Sequence, residues 1–366
     1  MSLNYSVKTA KIWLLLIVFF SPIVSNNAFN TTKQFTETSS NNLNHLPPSA
    51  IILQYHHIAD NTPYSTSTSV ALFKKQMQLL KTLGFQVWSL SKIVNQLQNG
   101  DTLPTKVVAL SFDDAYSSFY SNAWPVLKSY GYPATLFVAT THISEKPTEF
   151  LSWQQLKFLS LQGIEIGSHS DSHNYLARQL YLHDTPKTVI NINNDLQLSL
   201  DKIKQHLDID SKLFAYPYGE YSDSLIKIVK KLNLIGFGQH SGPINRYSNF
   251  LALPRFPASN QFGSIESLRE KLFTLPFTQI IFQPSETFIA LNPPNLIFRI
   301  SDKTLKINCY ATNQGKIPSK ITSSSSFQQL NVRATKPLAK GRSRYNCTAK
   351  ANDPYFYWFS QPWINL

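Results

Sequence analysis

Cysteine is nearly absent from this chain: among 366 residues there are only Cys309 and Cys347, both far from the N-terminus. That scarcity excludes a cysteine-rich zinc scaffold or a dense disulfide framework. In an exported protein the default for such a pair is one disulfide stapling the C-terminal region, the alternative being two buried free thiols. Long apolar runs are also missing. The single stretch of that kind, "IWLLLIVFFSPIV" at 12–24, is short for a bilayer-spanning helix. Acidic residues are few, 21 against 34 basic ones, for a net charge of +13. Such a balance favours phosphate- or carboxylate-bearing polymers. No zinc finger, RNP-like motif or arginine-rich arm accompanies it, so nucleic acid is not an expected partner.

What is present is core-forming. Hydrophobic residues make up 42% and charged ones only 15%, a globular composition rather than a disordered one. The length suits one large domain and a smaller one. Lys8 and Lys11 precede the apolar stretch and polar "SNNAFNTTKQ" follows it, the pattern of a secretory signal over residues 1–25. An uncleaved membrane anchor is the rival reading. No cysteine follows the stretch for lipid attachment. The expected location is therefore periplasmic or extracellular, with association to the anionic cell envelope as a further expectation. Residues 26–48, rich in Asn, Thr and Ser and ending in Pro47-Pro48, read as a linker.

From Ala50 strands and helices alternate. "AIILQY", "VVALSF", "ATLFVAT", "IEIGS", "KLFAY" and "LIGFG" read as strands, separated by periodic helical segments such as "SVALFKKQMQLLKTLGF" and "TVININNDLQLSLDKIKQHL". The pattern predicts an α/β domain over 49–279, an irregular barrel of six or seven βα units with functional groups at the C-terminal ends of its strands. Past about residue 280 helical periodicity stops. Short alternating segments such as "TLKINCYAT" and "SRYNCTAK" predict a small all-β sandwich over 280–366. There is no internal repeat.

Polar, titratable residues gather where the predicted strands end. "VVALSF" runs into Asp113 and Asp114, "IEIG" into His169 and His173, "LFA" into Tyr216–Gly219, "IGFG" into His240, "IILQY" into His56, and "LALP" into Arg255. Two histidines four apart can share one face of a helical turn and, with one carboxylate, hold a metal that keeps positions open for water and substrate. The paired aspartates would then divide labour, one as ligand and one as base. An Asp-Asp pair alone is more often a turn, and a lone HxxxH is a common chance pattern. Their conjunction at strand ends favours chemistry. Tyr55 and His56 are expected to line a substrate groove, against the alternative of packing under the rim. The aromatic run "YFYWFSQPW" can stack on sugars or form a strand seam.

"SFDDAYSSFY", "GSHSDSH" and "AYPYG" resemble, in order, the leading motifs of the polysaccharide deacetylases of carbohydrate esterase family 4, with the NodB-like fold. The resemblance spans about residues 50 to 275. "ILQYHHI" and "LPRF" are similar to the branch acting on poly-N-acetylglucosamine. It implies Asp113 as general base, Asp114, His169 and His173 as ligands of one divalent metal, zinc by default, and Tyr218 as a backbone donor to the oxyanion. Three positions depart from the family pattern. Ser111 replaces threonine. Ala115 replaces glycine, so the turn must avoid positive φ or accept strain. Ala215 stands where many members carry the arginine that orients the base; Arg255 is the candidate replacement. The general acid has no clear motif, and His240 is the candidate, against a structural role. The implied activity is removal of N-acetyl groups from an N-acetylated polysaccharide. The rivals are hydrolysis of another amide or ester on the same fold, and a catalytically silent polysaccharide-binding protein.

Overall fold

The computed structural model describes residues 48–145, 148–277, 281–283 and 285–366. The expected signal segment and nearly all of the linker lie outside the described residues. Among the described residues no helix is long and apolar enough to cross a membrane.

Six strands lie side by side in parallel, in chain order: Ala50–Tyr55, Val107–Asp113, Thr135–Val138, Glu165–Ser168, Leu213–Ala215 and Ile235–Phe237. Most are buried along their whole length, which is why they read as continuous apolar runs rather than alternating ones. The segment 250–257 closes the ring. Gly236 donates to Phe250 O (2.9 Å), Leu253 and Gly236 exchange a further bond, and Phe256–Pro257 then pairs with Leu53 and Gln54 on the opposite edge. Glycine is required at 236, since a Cβ there would stand 2.2 Å from Leu251 O. The sheet is thus the irregular parallel barrel the alternation predicted, with helices outside it.

The helices begin where hydroxyl residues stand. Ser69, Ser89, Ser152, Thr185, Ser222 and Ser264 each accept an N–H of the first turn, and Ser152 forms a full capping box with Gln155. Each cap contributes about 1 kcal/mol.

The C-terminal region is two stacked antiparallel layers. The larger is built on the long hairpin Gly341–Lys350 and Phe356–Asn365, the smaller on Asn295–Ile300 and Gln328–Arg333. Leu296, Phe298, Leu330, Val332, Tyr345 and Trp363 fill the space between them. Cys309 and Cys347 are directly opposite on adjacent strands and are disulfide-bonded. The Thr274–Pro276 strand already pairs in parallel with Phe356–Trp358, so the larger layer, otherwise antiparallel, recruits chain from before residue 280. Strand alternation sorts the Gly341–Lys350 residues. Ser343, Tyr345 and Cys347 point into the sandwich, while Arg342 and Arg344 point toward the barrel.

Candidate active site

The Val107–Asp113 strand ends inside the ring, and the chain turns through Asp114 (φ 71°) and Ala115 (φ 57°). Ala115 therefore accepts left-handed backbone instead of avoiding it. Each such residue costs about 1–2 kcal/mol. The turn sends the two carboxylates to different partners. Asp113 is fully buried and meets Arg255 in a two-pronged ion pair, Nη1–Oδ1 2.7 Å and Nη2–Oδ2 2.9 Å. Gln54 Nε2 adds a 2.6 Å bond, and His56 Nε2 lies 3.8 Å from Oδ2. Burial would push the Asp113 carboxyl up; Arg255, His169 and His56 outweigh it and bring it down to about 2. Arg255 reaches this position because Phe256 is hydrogen-bonded into the sheet beside Leu53, and its Nε is anchored on Gly238 O (2.8 Å).

Asp114 faces the histidines. Its Oδ1 is 3.4 Å from His169 Nε2 and 3.2 Å from His173 Nε2. The two histidines do not share a helical turn, contrary to the expectation from their spacing. His169 follows the Glu165–Ser168 strand, and the loop beyond it passes through left-handed Ser170 and His173. Asp195 holds that loop by accepting from the backbone N–H groups of Asp171 and Ser172, and Ser170 Oγ accepts from His173 N. These local carboxylate and hydroxyl bonds bend the chain where a helix would leave them unused.

The donor set fits a divalent cation. His169 Nδ1 is 2.7 Å from Ala215 O, an acceptor only, so Nδ1 carries the hydrogen and Nε2 presents its lone pair inward. Burial, aided by His173, keeps the His169 imidazole neutral, its pKa down to about 4. Burial lowers His173 too, but the neighbouring Asp114 carboxylate more than offsets it and raises it. Asp114 Oδ1 is buried without a hydrogen-bond partner. The three ligand atoms lie within 4.8 Å of one another. A buried carboxylate oxygen left without a hydrogen is what a cation would satisfy.

Tyr218 sits above this cluster in the Pro217–Gly219 turn, with φ 60°, its ring 4.8 Å from His173 and stacked on Tyr175 at 3.8 Å. Burial raises its hydroxyl to about 12. Two expectations are corrected. Tyr55 is 1% exposed and packs between Phe73 and Phe112, so it cannot touch substrate. Alternation along Ala50–Tyr55 turns Gln54 to Asp113 and leaves Tyr55 in the layer between sheet and helices. His240 does not join the ligand cluster. Burial, with Arg344 and Arg255 beside it, pushes it down to about 3, which disfavours the imidazolium form that a general acid needs near neutrality. Gln54, Arg342 and Arg344 were not singled out by sequence reasoning. Arg342 Nη1 donates to Tyr218 O, so the C-terminal layer braces the Tyr218 turn. These groups line one cleft of about 960 Å³.

The family model for polysaccharide deacetylase matches residues 100–236. A Staphylococcus aureus protein named poly-beta-1,6-N-acetyl-D-glucosamine N-deacetylase is 26% identical over 61% of this chain and 83% of its own length. One of the same name from Escherichia coli is 23% identical over 62% of this chain and 38% of its own length. Among solved structures, the Streptococcus pyogenes deacetylase PplD in complex with acetate aligns at TM-score 0.55 with 27% identity, over 62% of this chain and 99% of its own. IcaB from Ammonifex degensii shares the fold at TM-score 0.51 and 22% identity, over 57% of this chain and 91% of its own. The barrel of this chain thus has the NodB-like fold, and its residues 100–236 match the polysaccharide deacetylase model.

Proposed function

We propose that the protein is a metal-dependent hydrolase that removes acetyl groups from N-acetylglucosamine residues of a polysaccharide outside the cytoplasm. The observation that carries this reading is the split of adjacent aspartates, Asp113 onto Arg255 and Asp114 onto two histidines. The names of the Staphylococcus aureus and Escherichia coli relatives point to poly-N-acetylglucosamine as the substrate class.

Asp114, His169 and His173 would hold the ion, and mixed nitrogen and oxygen ligation suits zinc. A divalent ion there would polarise the acetyl carbonyl and lower the pKa of the attacking water, which a carboxylate as weakly basic as Asp113 needs. Asp113 takes the water's proton as its oxygen bonds to the acetyl carbon. Arg255 and Gln54 fix the carboxylate for that transfer and keep it ionised. The Tyr218 backbone N–H donates to the carbonyl oxygen as it gains charge. The carbon–nitrogen bond then breaks, releasing acetate and the free amine. The proton for the amine comes from His56, a part-exposed cleft residue next to Asp113, rather than from buried His240.

The test is acetate release from poly-β-1,6-N-acetylglucosamine, with metal content measured on the same sample. Release that stops on chelation and returns with added zinc supports the reading. Metal-replete protein that releases no acetate refutes it.

A further inference from the structure

Charge along the wall of the cleft does not balance. Arg342 and Arg344 line the cleft from the C-terminal layer, and Arg178, on the barrel side, is bound to the cleft carboxylate Glu220. One carboxylate, Glu220, answers them, and Arg178 already occupies both its oxygens at 2.7 and 2.6 Å. Arg342 Nε reaches that same carboxylate only at 3.9 Å. Arg344 has no carboxylate within ion-pairing distance among the described residues. Its guanidinium donates to two neutral oxygens, Ser241 Oγ at 3.1 Å and Gln239 O at 3.3 Å. Burial and the neighbouring Arg342 bring it down to about 10.

A guanidinium held partly out of water without a countercharge is costly unless a ligand supplies one. Arg344 has five N–H donors and uses two. Arg342 and Arg344 are two residues apart on one strand, so both forks open on the same side of the sheet, into the cleft that also holds His169 and His173. Two forks on one face are suited to oxyanions.

We propose that this arginine pair is a subsite for an anionic substituent, carboxylate or phosphate, on the polysaccharide whose acetyl group enters the Asp113–Asp114 site. The inference rests on the deacetylase reading and narrows it: the preferred polymer carries negative charge near the acetylated sugar. The C-terminal layer is then part of the substrate site, and charge selection is its contribution.

The test compares kcat/KM for wild type and Arg344→Gln on three substrates. They are a neutral N-acetylglucosamine oligomer, one bearing a lactyl carboxylate on alternate sugars, and an N-acetylhexosamine polymer joined by phosphodiesters. Wild type should prefer one anionic substrate, and that arm identifies the anion. In Arg344→Gln that preference should fall about tenfold or more, the range for hydrogen bonds to charged groups, with the neutral oligomer unchanged within about twofold. Arg344→Lys, which keeps the charge without the fork, should recover part of it, and serves if the glutamine variant does not fold. An equal loss on all three substrates, or an unchanged preference, overturns the inference. Equilibrium binding of an oligouronate to both proteins reads the subsite without hydrolysis. If no substrate is cleaved the deacetylase reading fails, whereas equal oligouronate affinity in wild type and variant overturns the subsite by itself.

Discussion

Replacing Arg255 by methionine isolates the ion pair beneath the reacting groups. Both partners are 0% exposed, and Arg255 supplies two of the three short bonds on the Asp113 carboxylate. Methionine fills much of the volume but leaves a buried anion with Gln54 and His56 as its near neighbours. Breaking one side of a buried pair costs about 3–5 kcal/mol. The loss should depend on pH, and its sign follows from Asp113. In wild type its carboxyl is lowered to about 2 from the ordinary 3.8, so its contribution of about 2 kcal/mol is present above pH 4 and lost as pH falls toward 2. Without Arg255, burial is the largest remaining influence and pushes the carboxyl up. The variant's deficit should then be greatest near pH 7 and shrink as pH falls through the raised value, because protonated Asp113 needs no countercharge. Urea denaturation of wild type, Arg255→Met and Arg255→Met/Asp113→Asn at pH 4.5 and 7 reads this directly. The double variant should be more stable than Arg255→Met at pH 7. A deficit that is the same at both pH values and unrelieved by Asp113→Asn would refute the argument.

His56→Ala should lower kcat by about 10²–10⁴, the usual range for a positioned acid, while His240→Ala should leave the pH–rate profile unmoved apart from a stability loss; the reverse pattern in steady-state kinetics returns the acid role to His240. Lys271 is buried with its ammonium on Pro257 O and Phe262 O, and burial lowers it to about 7 from 10.5. The unfolded chain therefore binds more protons between pH 7 and 10.5, so stability should rise with pH across that window, by at most about 1.4 kcal/mol per unit. Lys271→Met should flatten that rise in denaturation curves; an unchanged slope contradicts the assignment.

The barrel was legible because its strands are buried on both faces and read as unbroken apolar runs, while serine and threonine caps punctuate the helices. Convergence of Asp113, Asp114, His169 and His173 was legible because all four follow such runs. The local conformation was not. The histidine spacing suggested a helical turn, yet Asp195, more than twenty residues away, bends the loop through its backbone N–H groups. Tyr55 was misplaced by reading a strand end as wholly solvent-facing, when alternation gives Gln54 to the site and Tyr55 to the core. The state of His240 depends first on burial and then on Arg344, over a hundred residues later, on a strand whose pattern marks its inward residues and says nothing of what its outward arginines meet.

The division of labour between Asp113 and Asp114 is tested most directly by metal content and acetate release in their asparagine variants. Asp113→Asn keeps the side chain's shape and should retain stoichiometric metal while losing about 10²–10⁴ in turnover. Asp114→Asn removes an anionic ligand, so it should lose metal first and regain part of its activity in excess zinc. If both variants keep metal and full activity, or if Asp113→Asn loses metal while Asp114→Asn keeps it, the account of this site is contradicted.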